Sequence, residues 1–231
     1  MKEIKKTTVR PKKVHENPRF SVNKLGEYLT ATPARRKRLI EDQKYPNTFI
    51  TSVYKIAREA IIRYIIKDYD ESILDKAVAE IKASVSITDQ DRDNSLLILK
   101  LIRKHSLPDL SSYKKTKYQL KNGNLSIKGL KVSISPDIIL RKGNKVGCIK
   151  IHIIKTESQR LDTEAGLAVS TLLHQYIGSN IIDEDEKVDP KTCISFDCFN
   201  NSYETAPSAI KRRMGNIEAA CEEIVLRWDS V

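Results

Sequence analysis

Apolar and polar positions change period part-way along the chain, and the change divides it into a helical half and a sheet-forming half. Residues 1–19 mix Lys, Pro, Thr and Asn with no period. Ser21 is placed to N-cap a short helix running to Leu29. Thr32 followed by Pro33 marks a second helix, to about Gln43, since an N-cap hydroxyl precedes a proline at the first helical position. The clearest amphipathic stretch is 47–69. There Phe49, Val53, Ile56, Ala60 and Tyr64 recur at spacings of three and four, joined by Ala57, Ile61 and Ile65. Further helices are predicted over 71–82 and 91–104.

From about residue 117 the pattern alternates instead. Tyr118 to Leu120, Leu125 to Ile127, 131–140 and 146–154 read as strands, punctuated by Asn122-Gly123-Asn124 and Lys142-Gly143-Asn144. A helix over 161–177, an acidic loop at Asp183–Asp189, a strand from Cys193 to Phe199 and a last helix opening at Pro207 complete the chain. These elements predict an α/β (α+β) fold, a mixed central sheet flanked by helices. The expected division is a basic flexible arm at 1–20, a helical region at 21–110 and an α/β core at 111–231, with helix 47–69 packing on that core.

Composition narrows the function classes. Of 231 residues, 40% are hydrophobic and 31% charged, as in ordinary globular proteins. No apolar run is long enough for a membrane span, and the first residues lack a secretory apolar core. Cys148, Cys193, Cys198 and Cys221 do not form a disulfide framework, and three lie in apolar stretches, so a reducing, cytoplasmic setting is expected. The net charge of +11 is uneven, because residues 1–48 carry 13 Lys and Arg against 5 Asp and Glu, a balance of +8. A localised positive field attracts polyanions. Lys12, Lys13, Arg35, Arg36, Lys37 and Arg38 are the candidate nucleic-acid contacts, although four successive helical residues cannot all face one partner.

The candidate chemistry lies in the strands joined at Gly143. Alternation puts Val132, Ile134, Ile138 and Leu140 on one face of the first, with Ser133, Ser135 and Asp137 opposite. In the second, Ile149, Ile151 and Ile153 oppose Cys148, Lys150 and His152. Pairing around the turn brings Asp137 near Lys150. Such a pair is either a partly exposed ion pair or the start of a site, in which aspartate oxygens hold a hard cation and the lysine orients water and stabilises phosphoryl charge. Other motifs are absent: there is no phosphate-binding Gly-Lys-Ser/Thr loop, no dinucleotide fingerprint and no second pair to make Cys193 and Cys198 a zinc site.

Ser135-Pro136-Asp137, followed after about ten residues by Cys148-Ile149-Lys150, resembles the motif of the PD-(D/E)xK nuclease-like superfamily. The order helix, three strands, helix, strand over 47–199 is similar to that superfamily's restriction-endonuclease-like core. His174-Gln175-Tyr176 is a weaker echo of its exonuclease-like members. The resemblance implies Asp137 as Mg²⁺ ligand and Lys150 as catalytic residue. It departs from the pattern at Cys148, which stands where a second carboxylate is needed and is a poor Mg²⁺ ligand. Glu59, from the preceding helix, is the candidate substitute, and His152 a further candidate on the polar face. Two function classes follow: a Mg²⁺-dependent nuclease, or a catalytically inactive DNA- or RNA-binding or assembly protein on the same core, with DNA the preferred ligand. A protein-interaction module, docking a protein partner or a second copy of the chain, is the third.

Overall fold

The computed structural model describes residues 14–46, 54–119 and 123–231. A short strand, β1 (Arg19–Ser21), leads into α1 (Val22–Thr30) and α2 (Pro33–Lys44). Both predicted N-caps form: the Ser21 hydroxyl accepts from the Lys24 N–H and the Thr32 hydroxyl from the Arg35 N–H. Three helices follow, α3 (Lys55–Ile66), α4 (Glu71–Ala83) and α5 (Asp89–Ile102). The predicted helix 47–69 is therefore shorter where described. Its C-terminus ends at a turn where Asp68 and Tyr69 adopt positive φ, and its residues 47–53 lie outside the described residues.

The strands come next: β2 (Lys114–Lys117), β3 (Asn124–Ile127), β4 (Leu130–Ser133), β5 (Ile138–Lys142) and β6 (Lys145–His152). After them run α6 (Thr163–Asn180), β7 (Lys187–Asp197), β8 (Ser202–Thr205) and α7 (Ile210–Arg227). β2-β5-β6-β7-β8 form a five-stranded sheet, and β1-β4-β3 a smaller three-stranded one. In the large sheet only β6 and β7 pair in parallel. α6 is the crossover that such a pair requires.

The fold is mixed α/β, as the pattern predicts, but the predicted strand 131–140 is two strands in two sheets. Pro136 has no N–H to give a ladder, and the chain passes between sheets there. The expectation that Val132, Ile134, Ile138 and Leu140 share a face is corrected accordingly. Val132 and Ile134 join a core with α1, α2, α6 and α7, whereas Ile138 and Leu140 join one with α3, α4 and α5. The helices of region 21–110 thus supply both faces of the large sheet. β1 and β8, of three and four residues, escaped a reading based on period. Of the predicted 1–20 arm, residues 1–13 lie outside the described residues, but 14–20 are tied down. The His15 N–H donates to the Lys44 carbonyl, and the Trp228 indole donates to the carbonyls of His15 and Glu16. Among the described residues no helix is long and apolar enough to cross a membrane.

The parallel pair carries a register shift between Val146 and Cys148, and Gly147 sits in it. A Cβ there would lie 2.1 Å from the Thr192 hydroxyl and 2.6 Å from the Thr192 carbonyl oxygen, which cannot swing aside. Gly147→Ala should therefore cost about 1–3 kcal/mol through overpacking, read as a lower denaturation midpoint in urea. An unchanged midpoint would contradict the packing at this bulge.

Candidate functional site

The β5–β6 hairpin closes through Gly143 and Asn144, with Lys142 opposite Lys145 and Ile138 opposite Ile149. Gly143 has φ of 57°, which suits a two-residue hairpin turn. Asp137 lies one residue before β5, next to the Ile138–Ile149 pair. The Asp137 N–H donates to the Ile149 carbonyl at 2.8 Å, which carries the pairing past the end of β5. The two predicted site residues do meet, at 3.6 Å between Lys150 Nζ and Asp137 Oδ2.

The surroundings decide what the pair can do. Asp137 is only 8% exposed. Its Oδ1 accepts from Arg58 Nη2 at 2.6 Å, and its Oδ2 accepts from the Ile151 N–H at 2.7 Å. Arg58 was not singled out by the sequence; its neighbour Glu59 was. The helical period does mark it, since Arg58 lies one turn from the buried Ile61 and Ile62 and so borders the stripe that α3 turns toward the sheet. Lys150 Nζ donates to the Ser135 carbonyl at 2.6 Å. Burial pushes the Lys150 ammonium down from its ordinary value, and the Arg58 charge adds to this, while Asp137 opposes it.

The other candidates are elsewhere or otherwise engaged. Glu59 is half exposed and pairs with Lys117 on β2. Cys148 is buried beside Cys193 on the neighbouring strand, and burial holds its thiol well above the usual range. Mg²⁺ needs several oxygen ligands. Asp137 offers oxygens already taken by a guanidinium, an ammonium and an N–H, Cys148 offers a protonated sulfur, and Glu59 is bound to a lysine. Among the described residues no group of three or more His, Cys, Asp and Glu is placed to hold a metal. The residues present do not fit the ion that the resemblance implies.

His152 is a buried structural residue. Its Nε2 faces the Gln159 carbonyl at 3.0 Å, an acceptor, so Nε2 carries the proton and Nδ1 accepts from Asn23 Nδ2 at 3.1 Å. Its partner across the ladder, Asp197, accepts from the N–H groups of Leu161, Phe199 and Asn200.

Of the predicted basic contacts, Lys12 and Lys13 lie outside the described residues. Arg35 donates through Nε and Nη2 to the buried carboxylate of Glu27, which also pairs with Lys24. Arg36 donates to the Tyr28 and Leu29 carbonyls at the end of α1 and pairs with Glu223. These two arginines fix α2 against α1. Lys37 and Arg38 are exposed. A cleft of about 620 Å³ lies beside this network, lined by Glu27, Thr32, Arg35, Glu157, Arg160 and Asn200. Its cations are likewise spent within the protein, Arg160 on the Lys155 carbonyl and Asn200. On α3, Lys55 and Arg63 are exposed and Glu59 is the one acid of the helix.

Compared with protein-family models and with curated proteins, the chain matches none.

Burial pushes the His152 imidazolium down from its ordinary 6.5, with Asp197 opposing. The unfolded chain then binds a proton that the folded one refuses, so stability is whole above about pH 6.5 and falls as pH drops below it. His105 and His174 are lowered by burial too and share the effect. In urea titrations between pH 8 and pH 5.5, His152→Gln should lower stability at pH 8 but flatten the decline toward acid. An equally steep decline in the variant would contradict the assignment.

Proposed function

We propose that this chain is a nucleic-acid-binding protein on a nuclease-like core that does not cleave its ligand, with DNA the preferred polymer. The observation that carries the reading is the Arg58–Asp137–Lys150 cluster. Two cations from two elements converge on one carboxylate at the place where the resembled family gathers carboxylates around a metal. The cluster supplies positive charge and no metal-ligand set, so it favours holding a phosphate over hydrolysing one.

Two further features support it. The order of α3, β2, β5, β6, α6 and β7, with its parallel last pair, agrees with the core order of the resembled superfamily. The chain carries a net charge of +11, and α3 carries Lys55, Arg58 and Arg63 against one acid, Glu59. Clustered lysine and arginine charge favours phosphate backbones through counterion release, which makes affinity fall steeply with salt. On this reading the interface lies on α3 and the adjoining sheet end, and not on the α2 arginines to which the sequence pointed, two of which are bound internally.

The full chain should bind short DNA duplexes and single strands in EDTA, with no need of Mg²⁺ and with log affinity falling linearly against log salt. It should cleave neither substrate in Mg²⁺ or Mn²⁺. Divalent-dependent cleavage that disappears in Asp137→Ala would overturn the non-cleaving reading, and binding indifferent to salt would overturn the nucleic-acid reading.

A further inference from the structure

We infer that Arg58 and Lys150 form a clamp for one phosphodiester group, with Asp137 as a built-in competitor that holds both cations in place until the ligand arrives. This deepens the proposed function and rests on it, since it names the atoms that would meet the backbone. The geometry shows a cluster whose charges do not cancel: one carboxylate faces a guanidinium at 2.6 Å and an ammonium at 3.6 Å, leaving a net charge of +1. A phosphodiester carries one negative charge and would neutralise that remainder.

Access and rigidity support the assignment. The Arg58 side chain is 31% exposed, that of Lys150 14% and that of Asp137 9%, so Arg58 is the member of the cluster most open to solvent. An incoming anion therefore meets Arg58 first. Three contacts fix the clamp: the Ile151 N–H donates to Asp137, Arg58 donates to Asp137, and Lys150 donates to the Ser135 carbonyl. Charge-assisted donors held in advance lose little freedom on binding. The nearest other charges on these elements, Glu59 and Lys117, pair with one another. Among the remaining groups nearby, Cys148 and Cys198 are buried thiols raised by burial, hence neutral, and Asp197 is saturated by backbone N–H groups.

A competitor makes an unusual prediction. Removing the carboxylate's charge should strengthen binding when no metal is present. The test measures affinity of the full chain for a labelled DNA duplex in EDTA, across a salt series, for wild type, Asp137→Asn, Arg58→Gln and Glu59→Gln. Asp137→Asn should tighten binding by about fivefold at low salt, the scale of one unit charge at a partly exposed site. Arg58→Gln should weaken binding and make the slope of log affinity against log salt shallower by about 1. Glu59→Gln adds the same charge one residue from Arg58 but outside the cluster, and should change affinity less than twofold.

Opposite signs for Asp137→Asn and Arg58→Gln are a pattern that partial unfolding does not produce, because a smaller folded fraction weakens both; a thermal melt of each variant checks this directly. Weaker or unchanged binding by a folded Asp137→Asn protein overturns the clamp while leaving the binding function standing. Equal tightening by Glu59→Gln also overturns it, in favour of a general field. No salt-dependent binding by wild type overturns the proposed function and the clamp together.

Discussion

A carboxylate withdrawn from water and met from three directions is the constraint on which the site depends. Asp137 is nearly buried, and an isolated charge there would be costly. Arg58 reaches it from α3, Lys150 from the neighbouring strand, and the Ile151 N–H from the backbone of that strand. Each contact ties Asp137 to a different part of the structure. The chain has just crossed from the small sheet to the large one at Pro136, so the same residue that anchors the cluster also starts β5. Removing one member of a buried ionic group typically costs about 3–5 kcal/mol, because the rest are left uncompensated. Structure and charge are thus joined at one position, and neutralising it alters both.

The large sheet makes this possible by giving each face to a different set of helices. β5, β6 and β7 are apolar on one side against α3, α4 and α5, and on the other against α1, α2, α6 and α7. Lys150 and His152 point with Cys148 toward the second side, yet each finds hydrogen-bond partners. Lys150 is carried by the Ser135 carbonyl at the sheet end, and His152 by Asn23 and Gln159. Buried polar groups are tolerated where every donor and acceptor is answered. The polar stripe predicted on β6 exists, but it serves as internal scaffolding except at its Asp137 end.

What could be read from sequence was local. The Lys142-Gly143-Asn144 turn and the alternation beside it fixed the hairpin register, and a register fixed at the turn brings Asp137 and Lys150 to the same end of the hairpin. Ser21, Thr32 and Pro33 marked two helix starts because caps act over three or four residues. The partners that gave the site its character were not local. Arg58 and Asp137 are 79 positions apart, and the helical period that sets Arg58 beside the buried stripe of α3 does not reveal which carboxylate it meets. Arg35 and Arg36 looked like one basic patch because a run of like charges does not reveal that Glu27 and Glu223 are waiting for them. The break at Pro136 was hidden because Ser133, Ser135 and Asp137 keep the alternation of a strand across a change of sheet.

The central claim is that the Arg58 guanidinium, and not a divalent ion, neutralises Asp137. Diffraction from crystals grown in Mn²⁺, collected at a wavelength where manganese scatters anomalously, tests it most directly. Arg58 should lie within hydrogen-bond distance of Asp137, with no anomalous peak at the Asp137 oxygens. A manganese peak at coordination distance from Asp137, with Arg58 displaced, would contradict it.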